Sequence, residues 1–529
     1  MVLIHVTRVR IPSGSLDLFF EQFNNKKQPK IKEIEMIERY KKPKIEQVWS
    51  DPEKLRLWQE TELAVIKARV SLGQMSEDAY NEISELLHSN PIDIIWWLKR
   101  EEETRHDLNA FLDERLRFLP ESLQPHFHDG MTSYDTEEPA FASMIKSSIS
   151  VLEEQLQPLL ETVKSMARNY RYTVMNGRTH GQEAELQSFG KRCLTWLVVL
   201  MEDINNLTRT KESLQYSKLS GAIGNYRGLS PEVEAEALRI LGFKPFYGAT
   251  QIMPRELYAP IAQAVCQIVL TLHKIAIDIR LGARSGRPIY QEPFGKKQKG
   301  SSAMPHKKNT ISCEQLEGMA RMAKGFSQTI TDNISTWEER AIEQSSVERV
   351  AWPDLFHIAV HSVKTMTRVL QGLVVYPDNM LAEIIDSYGC YATGEAKEFL
   401  RHHGHVVGIS TEDAYRIVQL AAFNVFETKG ERKEMRQNPA TSFAVAEKMF
   451  LNLILLDTNE PFSIREIIEG GCLVVSDQLA ANQGTVDRWN NLLRKLFGVV
   501  DIQSEWQRIF TFSYLLAGEN TLYREILGE

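Results

Sequence analysis

Five short polar stretches interrupt an otherwise apolar and periodic chain, and each carries side chains able to move protons or hold anions. "TRHDLNAFLDE" presents Arg105, His106 and Asp107, and "HDGMTSYDTEEPA" presents His128, Thr132, Ser133 and Asp135. "NGRTHGQEAE" presents Arg178, Thr179 and His180 between glycines. "GSSAMPHKKN" presents Ser301, Ser302, His306, Lys307 and Asn309, and "WEERAIEQSSVERVAWPD" presents Arg340, Ser345 and Arg349. Taken singly, each has an ordinary reading. Arg-His-Asp on a helix is a surface charge cluster, Thr-Ser after glycine is a helix cap, and Thr-His between glycines is a loop. The arginines after Trp337 neutralise neighbouring glutamates. Together they form a kit: a histidine able to act as acid, a serine able to act as base, and many donors for carboxylate or phosphate. Such a kit suits proton abstraction beside a carboxylate, where a doubly charged oxyanion must be stabilised. A serine hydroxyl is a poor base in water, so it needs a cationic, water-excluding setting. Lys296, Lys297, Lys299, Lys307 and Lys308 supply the charge,. No metal set and no cofactor fingerprint accompanies the kit. "RHHGH" at 401–405 lacks metal-ligand spacing, and "GAIGNYRG" at 221–228 lacks the strand context of a dinucleotide loop,.

These groups must be held by something, and the rest of the chain supplies long helices. Apolar residues recur at alternating steps of four and three in three runs: Ile145 to Met166, Ile261 to Ile279, and Leu355 to Leu373,. Pro158 is expected to kink the first run. The second run is apolar on another face as well, at Ala262, Cys266, Val269 and Ala276. That pattern suggests a bundle core shared between subunits. Ser50, Asp51, Pro52 and Glu53 mark a helix start. Strand-like alternation is scarce, so the fold class is all-α. The expected organisation is a polar extension over 1–35, a helical domain over 36–140, a long-helix bundle over 141–376 and a smaller helical domain over 377–529. Within the bundle, residues 295–309 form an unpacked loop that opens to admit substrate and closes to exclude water.

Composition narrows the class further. With 529 residues, 43% hydrophobic and 25% charged, the chain is globular, and a net charge of −8 gives no general attraction to nucleic acid,. Five scattered cysteines without a CxxC point to reduced thiols,. No run reaches the ~20 apolar residues of a membrane span, and the N-terminus lacks a secretory pattern. A cytoplasmic location is therefore expected. Residues 1–35 read as dispensable, with Met36 available as an initiator.

"GSSAMPHKKN" resembles the signature of the fumarate lyase (fumarase/aspartase) superfamily, G-S-x-x-M-x-x-K-x-N. Across about residues 36–480, "MIERY", "RHD", "GMTSYD", "GRTHGQ", "SSVER" and "YPDNM" resemble the adenylosuccinate lyase family in particular. The resemblance implies three all-α domains, with a twenty-helix core in a homotetramer whose subunits share active sites. It implies release of fumarate from adenylosuccinate, leaving AMP, and from its carboxamide-ribotide analogue SAICAR, leaving AICAR, without cofactor or metal. It also implies roles. Ser301 resembles the base, His180 the acid and Glu314 the carboxylate paired with that histidine. Lys307, Asn309, Thr132, Ser133 and Thr179 would hold carboxylates, and Ser302 and Met304 lie in the same loop against the substrate. His106, with Arg105 and Asp107, resembles an auxiliary histidine group. Arg39, Tyr40, Gln251, Arg340, Ser345 and Arg349 resemble nucleotide-binding positions.

The chain departs from the family pattern at several neighbours of these groups. Thr310 replaces a proline, Ala341 and Gln344 replace Asp and His, and Leu186, Gln187 and Ser188 stand where Pro-Thr-Thr is usual. A cycloisomerase-like member, another succinyl-amino C–N lyase, or a silent structural homologue are the alternatives. Retention of both Ser301 and His180 argues against the last.

Overall fold

The computed structural model describes residues 36–427, 463–499 and 501–529; the extension expected over 1–35 lies outside them. The chain divides into two units, Met1–Lys41 and Lys42–Glu529. In the first, the Tyr40 and Lys41 amides donate to the Ile37 carbonyl at 2.8 and 3.2 Å, closing one tight turn that carries Arg39 and Tyr40.

The second unit begins with α1 (Pro43–Val48), α2 (Asp51–Ser71), α3 (Glu77–Ser89), α4 (Ile94–Thr104) and α5 (Asp107–Leu116). The helix start read at Ser50 is present. Its hydroxyl accepts the Glu53 amide at 3.4 Å, and Pro52 occupies the first turn, where no amide donor is needed,. Leu55, Trp58, Ile83, Trp97 and Phe111 build the core of this part.

The long helices follow: α6 (Ser133–Asn169), α7 (Phe189–Thr210), the shorter α8 (Pro231–Leu241), α9 (Ala259–Gly282), α10 (Ile311–Asp332) and α11 (Glu343–Gln371). All-α is the observed class, and among the described residues strands are confined to three two-stranded pieces. These are β1 (Val174–Thr179) with β2 (Gln182–Ser188), β3 (Tyr216–Ser217) with β4 (Lys244–Pro245), and β5 (Tyr290–Gln291) with β6 (Val374–Val375). The periodic residues face the bundle interior: Leu152, Leu159, Val163, Ile261, Val265, Ile268, Leu272 and Ile279 are fully buried,. α6 runs without a break from its Thr132–Asp135 capping box through Pro139 and Pro158. The boundary drawn at 140/141 therefore falls inside one helix.

Helix directions follow from ties at the two ends of the bundle. At one end Arg255, just ahead of α9, bonds Glu138 near the start of α6 at 2.5 Å and Glu348 near the start of α11 at 2.7 Å. Asn333, just past α10, donates to the Gln344 carbonyl, and Ser213, just past α7, donates to the Leu257 carbonyl. At the other end β5 and β6 pair beyond the C-termini of α9 and α11. So α6, α9 and α11 run one way, and α7 and α10 run the other.

The reading of α9 as a helix needing a second subunit is revised. Ala262, Val269 and Ala276 are already 0–1% exposed within one chain, because α7, α10 and α11 surround α9. Its apolar length also satisfies the length and composition of a membrane span, which corrects the expectation that no run does. Apolar surface is left outside on the bundle at, among others, Val198, Val199 and Met201 on α7, Leu281 at the end of α9 and Met322 on α10,.

The C-terminal region holds α12 (Pro377–Ile385), α13 (Thr393–His403), α14 (Thr411–Glu427), α15 (Ile464–Gly470), α16 (Gln483–Val499), α17 (Gln503–Arg508), α18 (Phe512–Leu515) and α19 (Glu519–Leu527). Ile384, Leu400, Ile417, Val486, Leu493 and Trp506 form its separate core.

Candidate active site

At the end of the bundle where α6 and α11 begin, the arginines and their partners come together. Arg105 and His106 are not on a helix, as the sequence suggested, but form the link between α4 and α5, and Asp107 opens α5. Arg105 closes α4 in the left-handed region with φ 54°, and the His106 imidazole caps α5 by accepting the Asn109 amide at 3.4 Å. This turn buries Asp107, whose carboxylate takes a 2.6 Å bond from Arg349 and the Leu108 amide at 2.9 Å. Burial alone would raise its pKa, but Arg349 and Lys54 outweigh it and hold the carboxyl below its usual range,. Arg340 donates to the Gln251 side chain at 2.9 Å and stacks over Tyr134 with 4.0 Å to the ring centroid,. Its Nε is buried and has no hydrogen-bond partner. Ser345 and Arg349 line a cavity of about 330 Å³ together with Asp107, Tyr134, Glu137 and Lys54. Burial, with Asp107 nearby, pushes the Glu137 carboxyl up to about 8, against the pull of Arg349, Arg340 and Lys54. Near neutrality Glu137 is protonated, so it leaves the arginines' charge intact. Thr132 and Ser133 start α6 here, with the Asp135 carboxylate accepting the Thr132 amide at 2.9 Å. Buried Lys218 fixes Asp135 in turn at 2.6 Å.

The signature loop lies at the opposite end. It is less open than its composition suggests, and it does bury something. Gly300 is buried where the two limbs of the loop meet, and a Cβ there would sit 1.8 Å from the Lys307 carbonyl oxygen,. Asn309 donates to the Gly300 carbonyl at 2.8 Å, and the Lys307 amide donates to the Met304 carbonyl at 3.0 Å. The Ser301 hydroxyl accepts the amides of Ala303 and Met304 at 3.3 and 3.1 Å. Two amide donors on one hydroxyl oxygen favour negative charge on it. Ser302, Met304 and Lys307 are exposed. Buried Glu292, not singled out from the sequence, anchors the stem by accepting the Ser312 and Cys313 amides at 3.0 and 2.7 Å at the start of α10,.

"GRTHGQ" is a hairpin rather than a loop. β1 and β2 pair with Thr179 opposite Gln182, so His180 and Gly181 are the two turn residues. Both have positive φ, 52° and 77°, as such a turn requires. Thr179 and His180 are exposed at its tip. Glu314, expected beside His180, carries an ion pair to Arg280 at 3.5 Å in this chain.

Hairpin and signature loop flank the same end of α9. Arg178 and Gly181 share a cleft of about 780 Å³ with Leu281, Arg284 and Tyr290. Lys307, Asn309 and Glu314 share one of about 760 Å³ with the same three residues. The arginine cluster is tied to Arg255 at the other end, and the 24 residues of α9 span ~36 Å between them,. One chain therefore carries Ser301 and His180 a full helix away from Arg340 and Arg349,.

A family described as lyase matches residues 32–325. The chain is 36% identical over 395 residues to the adenylosuccinate lyase of Synechocystis sp., covering 75% of this chain and 90% of that protein. It is 34% identical to the adenylosuccinate lyase of Thermotoga maritima, covering 74% and 90%. Among solved structures, a fumarate lyase from Mesorhizobium sp. BNC1 has a TM-score of 0.71 at 20% identity, covering 93% of this chain and 100% of that one. The β-carboxy-cis,cis-muconate cycloisomerase of Acinetobacter calcoaceticus has 0.65 at 18%, covering 88% and 97%. At such identities the solved structures speak for the shared fold, and the sequence relatives for the family.

Proposed function

The chain belongs to the lyase family, in the fumarate lyase superfamily and beside its adenylosuccinate lyases, and from that premise we propose that it eliminates fumarate from adenylosuccinate. It is a carbon–nitrogen lyase. The observation that carries the reading is the signature loop with Ser301 held under two amide donors. In the proposed step Ser301 Oγ removes the proton beside the substrate carboxylate. The C–H electron pair becomes the C=C bond of fumarate, the C–N bond breaks, and its electron pair takes a proton from His180, leaving AMP. Lys307 and Asn309, with Thr132, Ser133 and Thr179, hold the carboxylates through the dianionic stage. Arg340, Ser345 and Arg349 take the phosphate, with Gln251 beside them. The succinyl-carboxamide ribotide SAICAR, with the same reacting bonds, is the second substrate.

The helix-length gap between the two groups supports a shared site. The arginine end of one subunit meets the serine–histidine end of another in a homotetramer of four five-helix sets, located in the cytoplasm. Such closed symmetric assemblies are the common form of oligomer.

Incubating the purified protein with adenylosuccinate is the direct check, with fumarate and AMP released in equal amounts. No fumarate at any pH from 6 to 9 refutes the reading, and preference for a phosphate-free substrate favours the cycloisomerase-like alternative. A second outcome follows from Glu137. Its raised pKa means it is neutral below about 8 and gains a negative charge above. That charge faces Arg349 and Arg340, so KM for the phosphate-bearing substrate rises above that pH. Glu137→Gln abolishes the rise, and a rise that persists in Glu137→Gln assigns it to another group.

A further inference from the structure

A two-stranded hairpin is marginal by itself in water, so its direction depends on what its root is packed against. The root of the His180 hairpin is packed on the C-terminal region. Val174 and Leu186 belong to the hydrophobic core formed by α12 to α18, at 4% and 8% exposure. Arg178, two residues before His180, donates to Glu383 of α12 at 3.0 Å. At the foot of β2, Ser188 gives both its amide and its hydroxyl to the Glu519 carboxylate of α19, at 2.9 and 2.6 Å. The same hydroxyl accepts the Lys191 amide at 2.9 Å and so caps α7. α19 is itself fixed, because the Tyr523 hydroxyl donates to the Ala167 carbonyl at 2.9 Å. Only a glycine at 190 allows this approach, since a Cβ there would lie 2.1 Å from that hydroxyl.

We infer that Glu383 and Glu519 are positioning residues for His180, and that the C-terminal region is the mount that aims the acid-bearing hairpin. The inference rests on the reading of His180 as the acid. Carboxylate partners suit the task because charge-assisted bonds to a guanidinium or to paired N–H and O–H donors are short and directional. Neither glutamate is within the reacting set; each acts through the backbone it holds. Leu186 and Ser188, two of the six residues that depart from the family pattern, are among the hairpin's contacts with this mount. Misplacement of a catalytic group by ~1 Å costs on the order of 10²-fold, which is the scale on which loosening the mount is felt.

The test uses the full chain with Glu383→Ala, Glu519→Gln and the charge swap Arg178→Glu/Glu383→Arg. Three readouts are taken: kcat and KM on adenylosuccinate, melting temperature, and hydrogen exchange of the amides of residues 176–187. Glu383→Ala and Glu519→Gln are expected to lower kcat by ~10-fold or more, with KM within about twofold, and to speed exchange in the hairpin at near-unchanged melting temperature. The swap is expected to restore most of kcat and of the protection. Wild-type kcat and wild-type exchange in both single variants overturn the inference. So does a swap that restores the hairpin's protection but leaves kcat low. A wild-type protein inactive on adenylosuccinate refutes the functional reading instead, and the exchange readout then decides the mount alone.

Discussion

His180→Asn lowers the rate of fumarate release by ~10²–10⁴-fold, the usual worth of a positioned general acid, while the hairpin keeps its fold. Asparagine is the informative replacement because His180 occupies the first position of a two-residue turn at φ 52°. Non-glycine residues are uncommon there, and Asn is among the few that tolerate it; Asn-Gly is the favoured pair for this turn. His180→Asn therefore removes the imidazole and leaves Gly181, the β1–β2 register and the Arg178–Glu383 bond as they are. Alanine would lose the acid and also add backbone strain, of about 1–2 kcal/mol for the left-handed region, confounding the two. The measurement is kcat alongside melting temperature. A tenth or more of wild-type kcat in His180→Asn, with a melting temperature unchanged or raised, removes His180 from the acid role. A histidine held at positive φ on an exposed turn is itself an argument for function. A turn needing only to reverse the chain would be served by asparagine or glycine at lower cost.

That turn also shows where sequence reading stops. The long helices were legible because their apolar residues repeat every three or four positions over 20 residues or more, and no other element imposes that period. β1 and β2 carry too few apolar residues to show alternation, so the hairpin read as a loop between glycines. The basic loop read as unpacked because "GSSAMPHKKN" shows no apolar period. Its order comes from Asn309, Gly300 and the serine hydroxyl bonding backbone groups, which composition does not display. Glycine at 300 was the available signal, since it sits where two limbs of chain touch.

Partners distant in sequence were the least legible. Asp107 and Arg349 are 242 residues apart, and neither "RHD" nor "SSVER" announces the other. Glu292 and Glu519 were missed for the same reason: each is an ordinary glutamate whose meaning lies in the amides it meets. The second apolar face of α9 misled in the opposite direction. It signals burial on several sides, but sequence does not say whether the cover comes from the same chain, and here it does.

Mixing two inactive variants is expected to restore activity, and this is the sharpest consequence of the separation between the two ends of the bundle. Ser301→Ala removes the proposed base at one end, and Arg340→Leu removes a proposed phosphate contact at the other. The 24-residue α9 between these ends places them ~36 Å apart in one chain,. An adenylosuccinate-sized substrate cannot bridge that distance, so a complete site must take its serine from one subunit and its arginine from another. In a randomly reassembled one-to-one mixture, each site draws an intact serine end with probability one half and an intact arginine end with probability one half. About a quarter of the sites are then fully wild type. The recovered kcat per site is close to a quarter of the wild-type value, with KM of the active sites unchanged, and it appears only after subunits exchange. Ser301→Ala mixed with Lys307→Ala, two changes within one loop, supplies the control and recovers nothing. Recovery near zero in the first mixture, with exchange confirmed by differently tagged subunits, would mean that one chain folds its own two ends into a single site. The five long helices, as they run, leave no route for that.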